Sequence, residues 1–157
     1  MKSIVKKIII KLKKKRLTLS VAESCTGGLL SSYLTSIAGS SKVYKLGLVV
    51  YSNKSKNKLL KVPKNNLLKH GAVSEQTCIS MVKNLSKLAS TDIAVSITGI
   101  AGPSGGTSTK PVGLIFIGIK AKKKILCRKF IIRNKGRIFI QKEAVKKTFK
   151  LISALIK

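Results

Sequence analysis

Apolar residues recur along this chain in short runs and repeating faces separated by polar clusters. Within residues 2–16, Ile4, Val5, Ile8, Ile9 and Leu12 fall on one side of a helix and lysines fill the other. Such a helix covers a sheet at the start of an α/β domain; the other reading is a helix lying on a membrane surface. Residues 17–22 are apolar or β-branched apart from Ser20, as in a strand covered on both faces. A polar turn follows at Glu23, Ser24, Cys25, Thr26, Gly27 and Gly28. Leu30, Tyr33, Leu34 and Ile37 then keep helical spacing, and this helix ends near residues 37–39. Residues 43–51 predict a second strand. Short helices over 54–60 and 64–69 flank Pro63. Ser74 caps the next helix, whose inner face is Cys78, Met81, Val82, Leu85, Leu88 and Ala89. Residues 92–98 predict a central strand, and a polar loop over 99–111 follows it. Residues 112–120 and 124–132 predict an antiparallel hairpin. A helix over 137–156 closes the chain, with Val145, Phe149, Ile152 and Ile156 inward. The order predicts an α/β fold: one layered domain over 1–157, with a mixed, partly parallel sheet flanked by helices.

Composition adds one anomaly. The 157 residues hold 33 Lys plus Arg against 4 acids, a formal charge of +29. Residues 1–16 carry eight of the basic residues and 120–157 carry fourteen. Attraction to nucleic acid or to an anionic membrane is one reading. Compositional drift is the other, and it is favoured because Lys far outnumbers Arg and few aromatics interleave the basic runs. Cys25, Cys78 and Cys127 have no metal-ligand spacing, and His70 is the sole histidine. Three cysteines and no recognisable signal peptide point to a reduced, cytoplasmic setting. No apolar run reaches the about 18–20 residues that a membrane helix needs.

The candidate chemistry sits in three polar loops, 22–28, 51–56 and 98–110, each after a predicted strand. If those strands are parallel, the loops meet at one sheet edge, where ligands bind in such folds. Ser24 falls between a strand end and a helix start. It is either a helix N-cap or a nucleophile beside backbone N–H groups. A nucleophile needs a base. His70 is one candidate; Lys56 is another, if burial brings its pKa down from about 10.4 towards ~7–8. Alone, Lys56 is one more solvated lysine. Tyr51 is placed to relay a proton or to hold that lysine. The glycine-rich segment Gly99 to Gly106 either cradles a phosphate or is a plain surface connection.

Together these residues resemble the CinA C-terminal domain family, which includes stand-alone nicotinamide-nucleotide amidohydrolases of the PncC type. The resemblance rests on Ala22-Glu23-Ser24-Cys25-Thr26-Gly27-Gly28, Ala38-Gly39-Ser40-Ser41, Tyr51-Ser52-Asn53 with Lys56, His70 through Glu75, and Ser96 through Pro103 with Lys110-Pro111-Val112-Gly113. It is strong over about residues 17–113 and weaker to the C-terminus. It implies hydrolysis of the carboxamide of nicotinamide mononucleotide to nicotinic acid mononucleotide and ammonia, a step of pyridine nucleotide recycling. By position it implies Ser24 as nucleophile, Lys56 as general base and Tyr51 as supporting hydroxyl. Glu23, Thr26, Gly27, Gly28, Thr98, Gly99, Gly102, Gly105, Gly106 and Arg137 are implied to bind substrate. Backbone N–H groups at Thr26 to Gly28 suit the oxyanion; Arg137, Lys110 or the glycine loop suits the phosphate. No metal or other cofactor is implied, and a homo-oligomer is.

Two departures stand out: Ser104 where the family often has an acid, and Gln141 where some relatives carry Arg. The longer proteins of the family have an N-terminal pyrophosphatase domain that this sequence does not show, so that activity is not expected. The competing function is a non-catalytic basic protein holding nucleotides or nucleic acid, linked to competence or DNA damage. A decayed enzyme is a third reading, opposed by the intact Ser24, Tyr51 and Lys56.

Overall fold

The structure, a computed structural model, describes residues 1–156. In chain order its elements are α1 (Lys2–Lys14), β1 (Leu19–Glu23), α2 (Leu29–Thr35), a short 3₁₀ turn (Ser40–Lys42), β2 (Tyr44–Val49), α3 (Asn53–Leu60), α4 (Lys64–His70), α5 (Glu75–Ala89), β3 (Ile93–Gly99), β4 (Leu114–Ala121), β5 (Lys124–Ile131) and α6 (Arg137–Leu155). The strands form one sheet in the order β2-β1-β3-β4-β5. Strands β2, β1 and β3 run parallel, and β4 and β5 are antiparallel additions. The predicted mixed sheet is therefore present, and its parallel part is the part that carries the candidate loops.

Alternation along the central strands sorts the side chains into two cores. Leu19 and Val21 of β1, and Ile93, Val95 and Ile97 of β3, face α1, α2 and α6. On that side α1 presents the predicted stripe of Val5, Ile8, Ile9 and Leu12, and α6 presents Val145, Phe149 and Ile152. Each such fully buried aliphatic stabilises the fold by roughly 1.5–3 kcal/mol relative to exposure. Ala22 and Ala94 face the other way, towards Leu60 of α3, Leu67 of α4 and Met81, Val82 and Leu85 of α5. Small residues on this face let α5 approach closely. A Cβ on Gly118 would stand 2.6 Å from Ser96 Oγ and 3.1 Å from Cys78 Sγ. Ser96 Oγ in turn donates to the Cys78 carbonyl at 2.8 Å. Leu88 does not join the predicted inner face of α5: it is 57% exposed.

The carboxyl ends of β1, β2 and β3 converge, as the parallel arrangement requires. The ladder continues past the strands there. Ser24 N–H donates to the Ile97 carbonyl at 3.0 Å, and Val50 N–H donates to the Glu23 carbonyl at 2.8 Å. Ser24 is thus fixed by the sheet itself. Among the described residues no helix is long and apolar enough to cross a membrane.

Candidate active site

Ser24 is not a helix cap. The N-cap of α2 is Gly28, in a left-handed conformation that favours glycine, with φ 98°. The buried Glu23 carboxylate does the capping instead. It accepts from the N–H groups of Gly28, Leu30 and Ser31 at 3.2, 3.0 and 2.8 Å, and from Ser31 Oγ at 2.6 Å. A carboxylate at a helix start satisfies orphan donors and the positive end of the helix dipole together. Glu23 therefore faces α2, away from the cleft.

Freed from capping, the Ser24 hydroxyl meets Lys56. Lys56 Nζ lies 2.9 Å from Ser24 Oγ, 2.8 Å from the Val50 carbonyl and 3.2 Å from the Tyr51 carbonyl. The lysine arrives there because α3 starts abruptly. Ser52 and Ser55 close a capping box around its first turn. Lys56 lies one turn in, and helical side chains lean towards the N-terminus, which here points at the sheet edge. Its side chain is 0% exposed. Burial lowers its pKa from the ordinary lysine value to about 8.

The three partners specify how a neutral Lys56 would sit. Carbonyl oxygens only accept, so Val50 and Tyr51 claim two amine protons. The lone pair is left for the Ser24 O–H. That is the geometry of a base aimed at a hydroxyl. Among the described residues His70 does not line the Ser24 cleft; it flanks a separate hollow with Lys69 and Lys110. A Ser-His arrangement is thereby excluded in this structure. Cys25, beside Ser24, does not compete as nucleophile, since burial pushes its thiol up to about 12.

The cleft around Ser24 has a volume of about 270 Å³ and takes in Tyr51, Ala72, Thr98, Gly99, Gly102, Gly105 and Arg137 among its walls. Thr98 Oγ1 is spent on the Ala72 carbonyl at 2.8 Å. Gly99 has no room for a side chain: a Cβ would stand 2.5 Å from the Leu114 carbonyl oxygen. Ser104 also lines the cleft, and no carboxylate does among the described residues. Arg137, at the start of α6, closes one wall. It donates to the Gly102 carbonyl and to Tyr51 Oη, each at 2.7 Å.

Other expected site residues are engaged differently or lie outside the cleft. The Tyr51 phenol holds Arg137, whereas Tyr51 touches Lys56 only through its carbonyl. Thr26, Gly27 and Gly28 border a separate depression with Ile138 and Lys142. Gly27 N–H donates to the Ser24 carbonyl and Gly28 N–H to Glu23, so neither is available to an oxyanion. Gly106 packs against Val112. Lys110 Nζ donates to the His70 carbonyl at 2.6 Å, outside the cleft. Conversely, Gln141 is tied to the site. Its Nε2 donates to the Cys25 carbonyl at 2.8 Å, across 116 residues of sequence. Nothing local in the sequence signals that contact.

Among the described residues no three His, Cys, Asp or Glu side chains gather as a metal would need. The CinA C-terminal domain model matches residues 1–156. A CinA-like protein of Kosmotoga olearia is 51% identical over 129 residues, which is 80% of this chain and 31% of that protein. The chain spans less than a third of the length of curated relatives such as this one. Two solved structures are close in fold. The competence/damage inducible protein CihA of Agrobacterium tumefaciens aligns with a TM-score of 0.96 at 38% identity, covering 99% of this chain and 95% of that one. A competence or damage-inducible protein of Enterobacter asburiae aligns with a TM-score of 0.94 at 31% identity, covering 99% and 98%.

Proposed function

The chain belongs to the CinA C-terminal domain family, and from that membership and the Ser24–Lys56 pair we propose that it hydrolyses the carboxamide of nicotinamide mononucleotide. One observation carries the chemical part: a fully buried lysine amine, held by two carbonyls, 2.9 Å from a serine hydroxyl at the carboxyl edge of a parallel sheet.

In this reading Ser24 Oγ attacks the amide carbon while neutral Lys56 takes the hydroxyl proton. The resulting ammonium gives that proton to the amide nitrogen, and the C–N bond breaks to release ammonia. An ester on Ser24 remains. Lys56, neutral again, draws a proton from water, which attacks the ester; the ammonium so formed returns that proton to Ser24 Oγ as the ester C–O bond breaks and the carboxylic acid leaves. All of these proton transfers use one amine, so its pKa must lie near the working pH. The value of about 8 meets that need.

Substrate charge fits the walls. Besides Lys56, Arg137 is the charged lining residue, and it presents a fork suited to phosphate. Its present partners, Tyr51 Oη and the Gly102 carbonyl, hold it at the rim. We assign the phosphate to Arg137 and leave Lys110 out of the site. Incubating the purified protein with nicotinamide mononucleotide and measuring ammonia tests the substrate. Steady release supports the reading; silence from folded protein rejects it.

The second reading, nucleic-acid binding, draws on surface charge. Among the described residues the only salt bridge is Lys146–Glu143, at 3.2 Å, so most of the lysines are uncompensated. Binding of that kind falls steeply with salt and ignores Ser24.

A further inference from the structure

Amide attack at Ser24 puts negative charge on the carbonyl oxygen, and the reaction needs donors there. Glu23 and the Ser24 carbonyl have already engaged the N–H groups of Gly28 and Gly27. Of the two N–H groups next to the nucleophile, that of Thr26 has no hydrogen-bond partner among the described residues, and that of Cys25 has none beyond its own buried thiol. Their directions are set by the carbonyls of their own peptide units, because a trans peptide points its C=O and N–H oppositely. The Ser24 carbonyl accepts from Gly27 N–H at 3.1 Å, which orients the Cys25 N–H. The Cys25 carbonyl accepts from Gln141 Nε2 at 2.8 Å, which orients the Thr26 N–H.

Gln141 belongs to a different element from Ser24. It projects from the second turn of α6, which Arg137 begins. The same helix that brings Arg137 to the cleft thus reaches behind the nucleophile turn. The turn itself contains Gly27, at φ 60°, and Gly28, at φ 98°. The two left-handed glycines contribute no side chains of their own to the packing of this segment, in which Cys25 and Thr26 are buried. Gly27 and Leu29 hold the Ser24 and Thr26 carbonyls locally, and Gln141, from another element, holds the carbonyl of the Cys25–Thr26 peptide between them.

We propose that Gln141 is a positioning residue for the oxyanion site, holding the Cys25–Thr26 peptide so that its N–H, with that of Cys25, faces the oxygen developed on the group attacked by Ser24. The inference rests on Ser24 being the nucleophile but not on the identity of the substrate. Gln141 touches no reacting atom. It acts through the peptide whose carbonyl it holds.

The test uses a fluorophosphonate, whose phosphoryl oxygen occupies an oxyanion site while serine displaces fluoride. The rate of Ser24 phosphonylation is followed by intact mass for the parent, Gln141→Leu and Gln141→Arg. Removing one oxyanion donor costs about 10²–10³-fold. Loosening one donor should therefore slow Gln141→Leu by roughly 10–100-fold. Gln141→Arg retains a donor for the Cys25 carbonyl and should recover most of the rate. With nicotinamide mononucleotide, kcat should fall in Gln141→Leu while KM stays within about twofold, since the uncharged ground-state carbonyl gains little from the site. Equal phosphonylation of parent and Gln141→Leu overturns the inference. So does a parallel loss of rate and thermal stability that Gln141→Arg does not repair, which marks a merely structural contact. Labelling of Ser24 without ammonia release discards the substrate and leaves the inference standing if the variants rank as stated. No labelling of the folded parent removes the nucleophile and the inference with it.

Discussion

Lys56 Nζ reaches Ser24 Oγ at 2.9 Å from inside the protein, with no exposed surface of its own. Its neighbours are carbonyls and a hydroxyl, with no carboxylate to hold its charge. Burial therefore outweighs the opposing effect of the neighbouring Cys25 thiol, and the pKa drops to about 8.

A pH dependence follows with a definite sign. The base is the neutral amine, so kcat/KM for ammonia release should rise tenfold per pH unit below about 8 and level off above it. At pH 7 about one molecule in ten carries the neutral amine. Lys56→Arg keeps a cation that does not deprotonate in this range, and Lys56→Met removes the nitrogen. Each should lose about 10²–10⁴-fold in rate. Initial rates between pH 6 and 10 check both the slope and the losses. A flat profile in the parent would count against Lys56 as base.

Tyr51 and Arg137 make a separate pair at the rim. Tyr51 Oη accepts from Arg137 and from neither catalytic group. Tyr51→Phe should therefore raise KM several-fold with little change in kcat. Arg137→Ala removes the charge assigned to the phosphate and should raise KM about 10–100-fold, as expected for a charge-assisted hydrogen bond worth about 1.5–3 kcal/mol. Steady-state kinetics with nicotinamide mononucleotide and with its dephosphorylated riboside separate the cases. The riboside should be nearly indifferent to Arg137→Ala.

Glu23 predicts a stability effect. Its carboxylate collects three backbone N–H groups and Ser31 Oγ at the start of α2. Glu23→Gln turns an NH₂ donor towards those donors and weakens charge-assisted bonds. A loss of about 2–3 kcal/mol is expected, read as a melting temperature lower by roughly 5–10 °C. Calorimetry measures it directly.

Much of the fold was legible from local pattern. The strand–turn–helix around Ser24 and the stripes of α1 and α6 emerge where the periodicity places them. The convergence of three loops needed one further inference, that their strands are parallel, and β1, β2 and β3 are. What local pattern could not supply were partners set by tertiary contact. Glu23 sits inside the turn motif, yet its carboxylate is occupied by α2. The Tyr51 phenol is claimed by a guanidinium 86 residues away. Lys110 is drawn off to the His70 carbonyl. Lys56 among so many lysines is distinguished only by burial, which composition conceals. Gln141 meets the Cys25 carbonyl only because α6 packs over the start of α2.

Whether Ser24 is the nucleophile is tested most directly by pairing turnover with binding in Ser24→Ala. This variant should bind nicotinamide mononucleotide with an affinity within a fewfold of the parent's, by calorimetry, while its ammonia release falls by at least about 10⁴-fold. Ammonia release at the parent's rate from the Ser24→Ala protein would contradict that role.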